Sequence, residues 1–92
     1  MYTESAKLTF YIPLAYSLKD KRQVRRSLIE KAKQRFNASI AEVGTQDVHQ
    51  TLTIGIALVS GDSTHTKKAL EEIIRFMEDH TNAELTDVEY QN

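Results

Sequence analysis

Ser17 to Val43, SLKDKRQVRRSLIEKAKQRFNASIAEV, is the stretch whose reading decides the fold. Ser17 with Asp20 three residues on reads as a capping box, in which hydroxyl and carboxylate satisfy free amides of a first helical turn. Beyond it Val24, Leu28, Ala32 and Phe36, with Ile29 at the margin, recur at helical spacing and form one apolar side. The run Ala38 to Val43 is too short for a helix. It alternates, with Ala38, Ile40 and Glu42 on one face and Ser39, Ala41 and Val43 on the other, so it is expected to be a strand.

Outward from this helix–strand unit the pattern continues. Lys7 to Pro13 alternates strictly, Leu8, Phe10 and Ile12 against Lys7, Thr9 and Tyr11, and the only proline marks the strand's end because it has no amide hydrogen to donate. Gly44 to Asp47 is a polar turn. Gln50 to Ser60 alternates again, with Leu52, Ile54, Ile56 and Leu58 as the most apolar face of the chain, the mark of a central strand. SGDST (60–64) offers N-cap residues for a second helix that turns Leu70, Ile73, Ile74 and Met77 inward. On its outer face Lys67 with Glu71 and Lys68 with Glu72 stand at the spacing of self-neutralising pairs. Ala83 to Tyr90 alternates imperfectly and reads as a bulged edge strand.

The order strand, helix, strand, strand, helix, strand defines an α+β, ferredoxin-like βαββαβ fold. Right-handed crossovers give a four-stranded antiparallel sheet of order 4-1-3-2 with both helices on one face. Residues 1–92 are expected to form a single domain. The other sheet face, with Thr9, Tyr11, Ala41, Val43, Ala57 and Val59, is left uncovered and is apolar enough to serve as an interface, a homodimer being the simplest occupant.

Composition narrows the function classes. With 92 residues, 40% apolar and 27% charged, the chain has the balance of an ordinary globular domain. It has no cysteine, which removes disulfides, thiolate metal sites and thiol nucleophiles and fits a cytoplasmic location. The longest apolar run, Ile54 to Val59, is too short to span a bilayer, so no membrane association is expected. Net charge is only −1, but it is unevenly distributed. Lys19 to Arg35 carries eight cations against two carboxylates, a local +6, whereas Glu71 to Glu89 carries one cation against seven, a local −6.

On the helical wheel Lys19, Arg22, Arg26 and Lys33 fall in a narrow stripe nearly opposite Val24, and of the helix's cations only Arg26 has an obvious partner, Glu30. Lys21 and Arg25 lie on the apolar side near the helix start, where their stems are expected to lie on apolar surface with their charges reaching water and extending the ridge. Arginine's fork suits phosphate oxygens, so the expected ligand is RNA, contacted by Lys19, Lys21, Arg22, Arg25, Arg26 and Lys33. Such contacts position a backbone and read no sequence, so no DNA specificity is expected. Base stacking on the sheet, as in RNA-recognition modules of this topology, is disfavoured because Thr51, Thr53, Gly55, Ala57 and Val59 offer no ring.

Glu42, Asp47 and His49 form a candidate polar site near the turn between the second and third strands, since a carboxylate with an imidazole can move protons or hold a divalent ion. Their spacing matches no ligand pattern, and Glu42 is expected to accept a hydrogen bond from the basic helix or the turn. No catalytic residue, metal or cofactor is assigned. Acylphosphatases share this topology, but Pro13-Leu14-Ala15-Tyr16 stands where their glycine-rich phosphate loop would be. The same segment lacks the glycine turn of paired ligand-binding modules of the ACT type.

Four segments carry a resemblance: Leu18-Lys19-Asp20-Lys21-Arg22, Arg35 to Val43 (RFNASIAEV), Asp47-Val48-His49-Gln50 and Gly55 to Ser60 (GIALVS). Together they resemble the signature segments of the bacterial DUF503, or YlxP-like, family, over nearly the whole chain. The resemblance implies a ferredoxin-like fold. Because such proteins are often encoded beside translation initiation factor 2 and ribosome-binding factor A, it also implies a role with RNA or the small ribosomal subunit, without an established activity. His49 stands where the family commonly has tryptophan.

Overall fold

The computed structural model describes residues 1–91 and contains six elements: β1 (Tyr2–Tyr11), α1 (Leu18–Arg35), β2 (Ser39–Gly44), β3 (Thr51–Ser60), α2 (Ser63–Asp79) and β4 (Glu84–Tyr90). The four strands form one antiparallel sheet in the order β2-β3-β1-β4, which is the expected order read from the other edge. The fold is ferredoxin-like, with β3 and β1 in the middle.

β1 begins five residues earlier than its alternation indicates. Tyr2 pairs with Ser60 and Ala6 with Ile56, so the polar opening YTES is held by the ladder to the long β3 rather than by burial of its own side chains. Every second residue from Ala6 to Ile12 is buried, as are Leu52, Ile54 and Ile56 on β3 and Ile40 on β2. Helix α2 adds Leu70, Ile73, Ile74 and Met77, and α1 adds Leu28 and Ala32, with Val24, Ile29 and Phe36 packed partly buried at the margin. The apolar side chains are thus gathered between the helices and one sheet face.

Capping fixes where the helices start. The Ser17 hydroxyl accepts from the Asp20 amide at 3.1 Å, and the Asp20 carboxylate accepts from the Tyr16 amide at 3.0 Å, one residue earlier than a capping box would have it. Asp62 caps α2 by accepting from the His65 amide at 3.1 Å. The expected pairs of Lys67 with Glu71, Lys68 with Glu72 and Arg26 with Glu30 do not close to ion pairs among the described residues, where only Lys7–Glu89, Lys21–Glu42 and Arg25–Glu42 do. Glu71 instead accepts from the Tyr90 hydroxyl at 2.6 Å, which ties α2 to β4.

Both edge strands are irregular. On β4 the register with β1 shifts at Thr9/Phe10, so that Asp87 pairs with Thr9 but Leu85 with Phe10 and Thr86 is the extra residue. On β2 the shift falls between Glu42 and Gly44, leaving Val43 in the bulge. Val43 folds over Gly55 of β3: a Cβ built there would lie 2.8 Å from Val43 Cγ1, so the close approach requires glycine.

Candidate nucleic-acid interface

Helix α1 crosses above β2 with its two flanks chemically unlike. Lys19, Arg22, Arg26 and Lys33 are all exposed along its outer side, and none lies within ion-pairing distance of a carboxylate among the described residues. A helical rise of ~1.5 Å per residue sets the 14-residue span from Lys19 to Lys33 at ~21 Å, the length of several backbone phosphates.

Lys21 does not belong to this ridge. It is 3% exposed, because it faces the sheet one turn before Val24 and Arg25. Its ammonium donates to the Thr45 carbonyl and to the Val48 carbonyl, the latter at 2.9 Å, and sits 2.9 Å from Glu42 Oε2. Buried away from water, the ammonium donates to two turn carbonyls and is balanced in charge by the Glu42 carboxylate, whose Oε2 lies close to it without a well-directed hydrogen bond. The expectation that its charge extends the ridge is corrected accordingly.

Arg25 occupies an intermediate place. Its Nη1 donates to Glu42 Oε1 at 3.1 Å while a third of the side chain stays exposed, so one prong of the fork is committed inward and the rest faces the ridge. Glu42 is reached from α1 by both cations because β2 points it toward the helices, opposite Ile54 and next to Ile40. Burial pushes the Glu42 pKa up, but the contacts and charges of Lys21 and Arg25 outweigh it and hold the carboxyl below its ordinary 4.5.

The structure does not gather Glu42, Asp47 and His49 into one cluster. Glu42 lies inside with its oxygens turned to Lys21 and Arg25, whereas Asp47 and His49 are exposed on the turn. Asp47 shares with Glu42 only the rim of a cleft of about 220 Å³, also lined by Arg22 and Gln46. What this region does build is a tie between helix and turn. Thr45 takes a positive φ of 54°, a costly backbone for a β-branched residue, and is held there by Lys21 on its carbonyl and by its own hydroxyl, 2.9 Å from that of Thr53.

The residues expected on the open sheet face are there. Tyr11, Val43 and Val59 are 41%, 53% and 56% exposed, and Ala41 and Ala57 lie between them in the ladder. Ala41, Val43, Gly55 and Ala57 line a shallow depression on this face, with Tyr11 and Val59 lying outside it toward opposite ends of the sheet. This face is separate from α1, on the far side of the sheet. A hollow of about 390 Å³ opens instead between α1 and the α2–β4 loop, with Val24, Leu28 and His80 in its walls. Sequence reasoning did not single it out, since its walls come from three separated segments.

Among the described residues no helix is long and apolar enough to cross a membrane, and no group of His, Cys, Asp and Glu could hold a metal ion.

The molecule is a small α+β protein whose sheet is helix-covered on one face and whose first helix carries an unpaired basic stripe. Residues 4–90 match the model of the family described as "Protein of unknown function (DUF503)", and the chain belongs to that family. It is 38% identical over 72 residues to the uncharacterized protein YlxP of Bacillus subtilis (strain 168), a match that covers 78% of each chain.

Proposed function

We propose that this protein is an RNA-binding accessory of the small ribosomal subunit that lays the outer side of α1 along a phosphate backbone. The observation that carries the reading is the row Lys19, Arg22, Arg26 and Lys33: four exposed cations on one rigid helix with no acidic partner, in a chain whose net charge is −1. Glu30 is the one carboxylate a turn away from the row, facing both Arg26 and Lys33, and among the described residues it closes no ion pair with either, so four cations against one acid leave the row with excess positive charge. The reading takes the protein to be non-enzymatic and cytoplasmic. The test is co-sedimentation with ribosomal subunits. The double variant Arg22→Glu/Arg26→Glu is expected to lose association with its fold intact, and undiminished association would sink the reading.

A second reading is favoured by the open face of the sheet, where Tyr11, Val43 and Val59 stand exposed around small residues: self-association through that face, with no nucleic-acid partner. Light scattering distinguishes the two. A stable dimer with no RNA affinity at low salt selects the second.

A further inference from the structure

The loop that leads into the basic helix carries an aromatic ring with nothing to pack on. Tyr16 is 75% exposed, the most exposed of the four tyrosines. It occupies the residue before the N-cap, where an apolar side chain ordinarily staples itself to the fourth residue of the helix. Here that fourth residue is Lys21, whose ammonium is buried against Glu42 and the turn carbonyls, so no staple forms and the ring is left in water. Its backbone is nevertheless fixed, since the Tyr16 amide donates to Asp20 Oδ2 at 3.0 Å. The backbone that carries the ring is thus tied to the helix cap, three residues ahead of Lys19 and six ahead of Arg22.

The other tyrosines are placed otherwise. Tyr11 is on the open sheet face, away from the helices, Tyr2 is at the opposite end of β1, and the Tyr90 hydroxyl is committed to Glu71. Of the four tyrosines, Tyr16 is the one that immediately precedes the N-cap of α1. An exposed ring three residues ahead of the first exposed cation of α1 fits a strand whose bases are free to stack and whose phosphates follow along the helix; duplex RNA buries its base faces and offers the ring nothing.

We propose that Tyr16 is a stacking platform for an unpaired base of single-stranded RNA, whose backbone continues onto Lys19, Arg22 and Arg26. The inference rests on the reading of the ridge as an RNA contact and adds to it the form of the RNA. A protein segment docking on Tyr16 is the competing occupant.

The chain has no tryptophan, so Tyr16→Trp introduces a single reporter. Titration of that variant at low salt with a twelve-residue oligoadenylate is expected to quench its fluorescence, whereas inorganic polyphosphate binds the ridge without quenching. Tyr16→Ala is expected to weaken oligoadenylate binding by about fivefold or more, leave polyphosphate and duplex RNA unchanged, and be rescued by Tyr16→Phe. Unchanged oligoadenylate affinity in Tyr16→Ala with no quenching, while Arg22→Glu/Arg26→Glu still abolishes binding, overturns the stacking role and leaves the ridge standing. No binding of any RNA by the wild type overturns both, and so does dependence on Tyr16 of a protein complex alone.

Discussion

Lys21 of α1 and Glu42 of β2 meet in the interior with Nζ and Oε2 2.9 Å apart, the lysine 3% and the glutamate side chain 9% exposed. A buried ion pair adds little over an apolar pair of the same shape, but removing one partner strands the other. Lys21→Met leaves Glu42 with Arg25 alone and strips the Thr45 and Val48 carbonyls of their donor. It is expected to cost about 3 to 5 kcal/mol of folding stability, read from urea denaturation. The double variant Lys21→Met/Glu42→Leu is expected to lose less than Lys21→Met alone. A double variant at least as unstable as the single would show that the pair does not act as a unit.

The same pair makes stability depend on acid. Because Lys21 and Arg25 hold the Glu42 carboxyl below its ordinary 4.5, the unfolded chain binds its proton more readily than the folded one. The contribution is therefore present above pH 4.5 and is lost as pH falls through the folded value. Urea midpoints measured from pH 7 down to pH 3 should fall, and Glu42→Gln should flatten that fall while starting from a lower midpoint. An acid limb of equal slope in both proteins would assign the dependence to other carboxylates.

Why the sequence shows some of this and hides the rest follows from what each residue answers to. Leu8, Phe10 and Ile12, or Leu52, Ile54 and Ile56, answer to burial on one face, and period-two alternation displays that directly. Lys19, Arg22, Arg26 and Lys33 are legible for the opposite reason: they are exposed and no burial constrains them, so the wheel alone places them. Tyr2 to Ser5 answer to a partner strand more than fifty residues away, which leaves no local trace. Lys21 is the instructive failure. The sequence places it on the apolar side of α1 and Glu42 on the same face of β2 as Ile40, and Glu42's expected bond to the basic helix is formed; what no local pattern displays is that the lysine is buried in the process instead of reaching water.

Packing on the open face makes a coupled prediction. A methyl group at position 55 would come within 2.8 Å of Val43 Cγ1, and Val43, being β-branched and held in a bulge, has few rotamers with which to withdraw. Gly55→Ala is expected to destabilise by about 1 kcal/mol, the low end of overpacking, and to become neutral or favourable in a Val43→Ala background. Thermal unfolding of the four proteins checks it, additivity of the two substitutions being the adverse result.

The ridge sets the salt dependence of RNA binding. Each phosphate neutralised on a single strand releases counterions and contributes about −0.7 to the slope of log K against log salt, so contacts from Lys19, Arg22, Arg26 and Lys33 together predict a slope of about −3. Lys33→Gln should bring it to about −2 while lowering affinity at every salt concentration. Glu42→Gln should leave the slope nearly unchanged, because the exposed cations remain where they are and only the interior contacts of Lys21 and Arg25 are weakened. Filter binding to an unstructured oligonucleotide between 50 and 300 mM salt separates these cases. A slope near zero, or one that Lys33→Gln does not change, would remove the end of α1 from the contact.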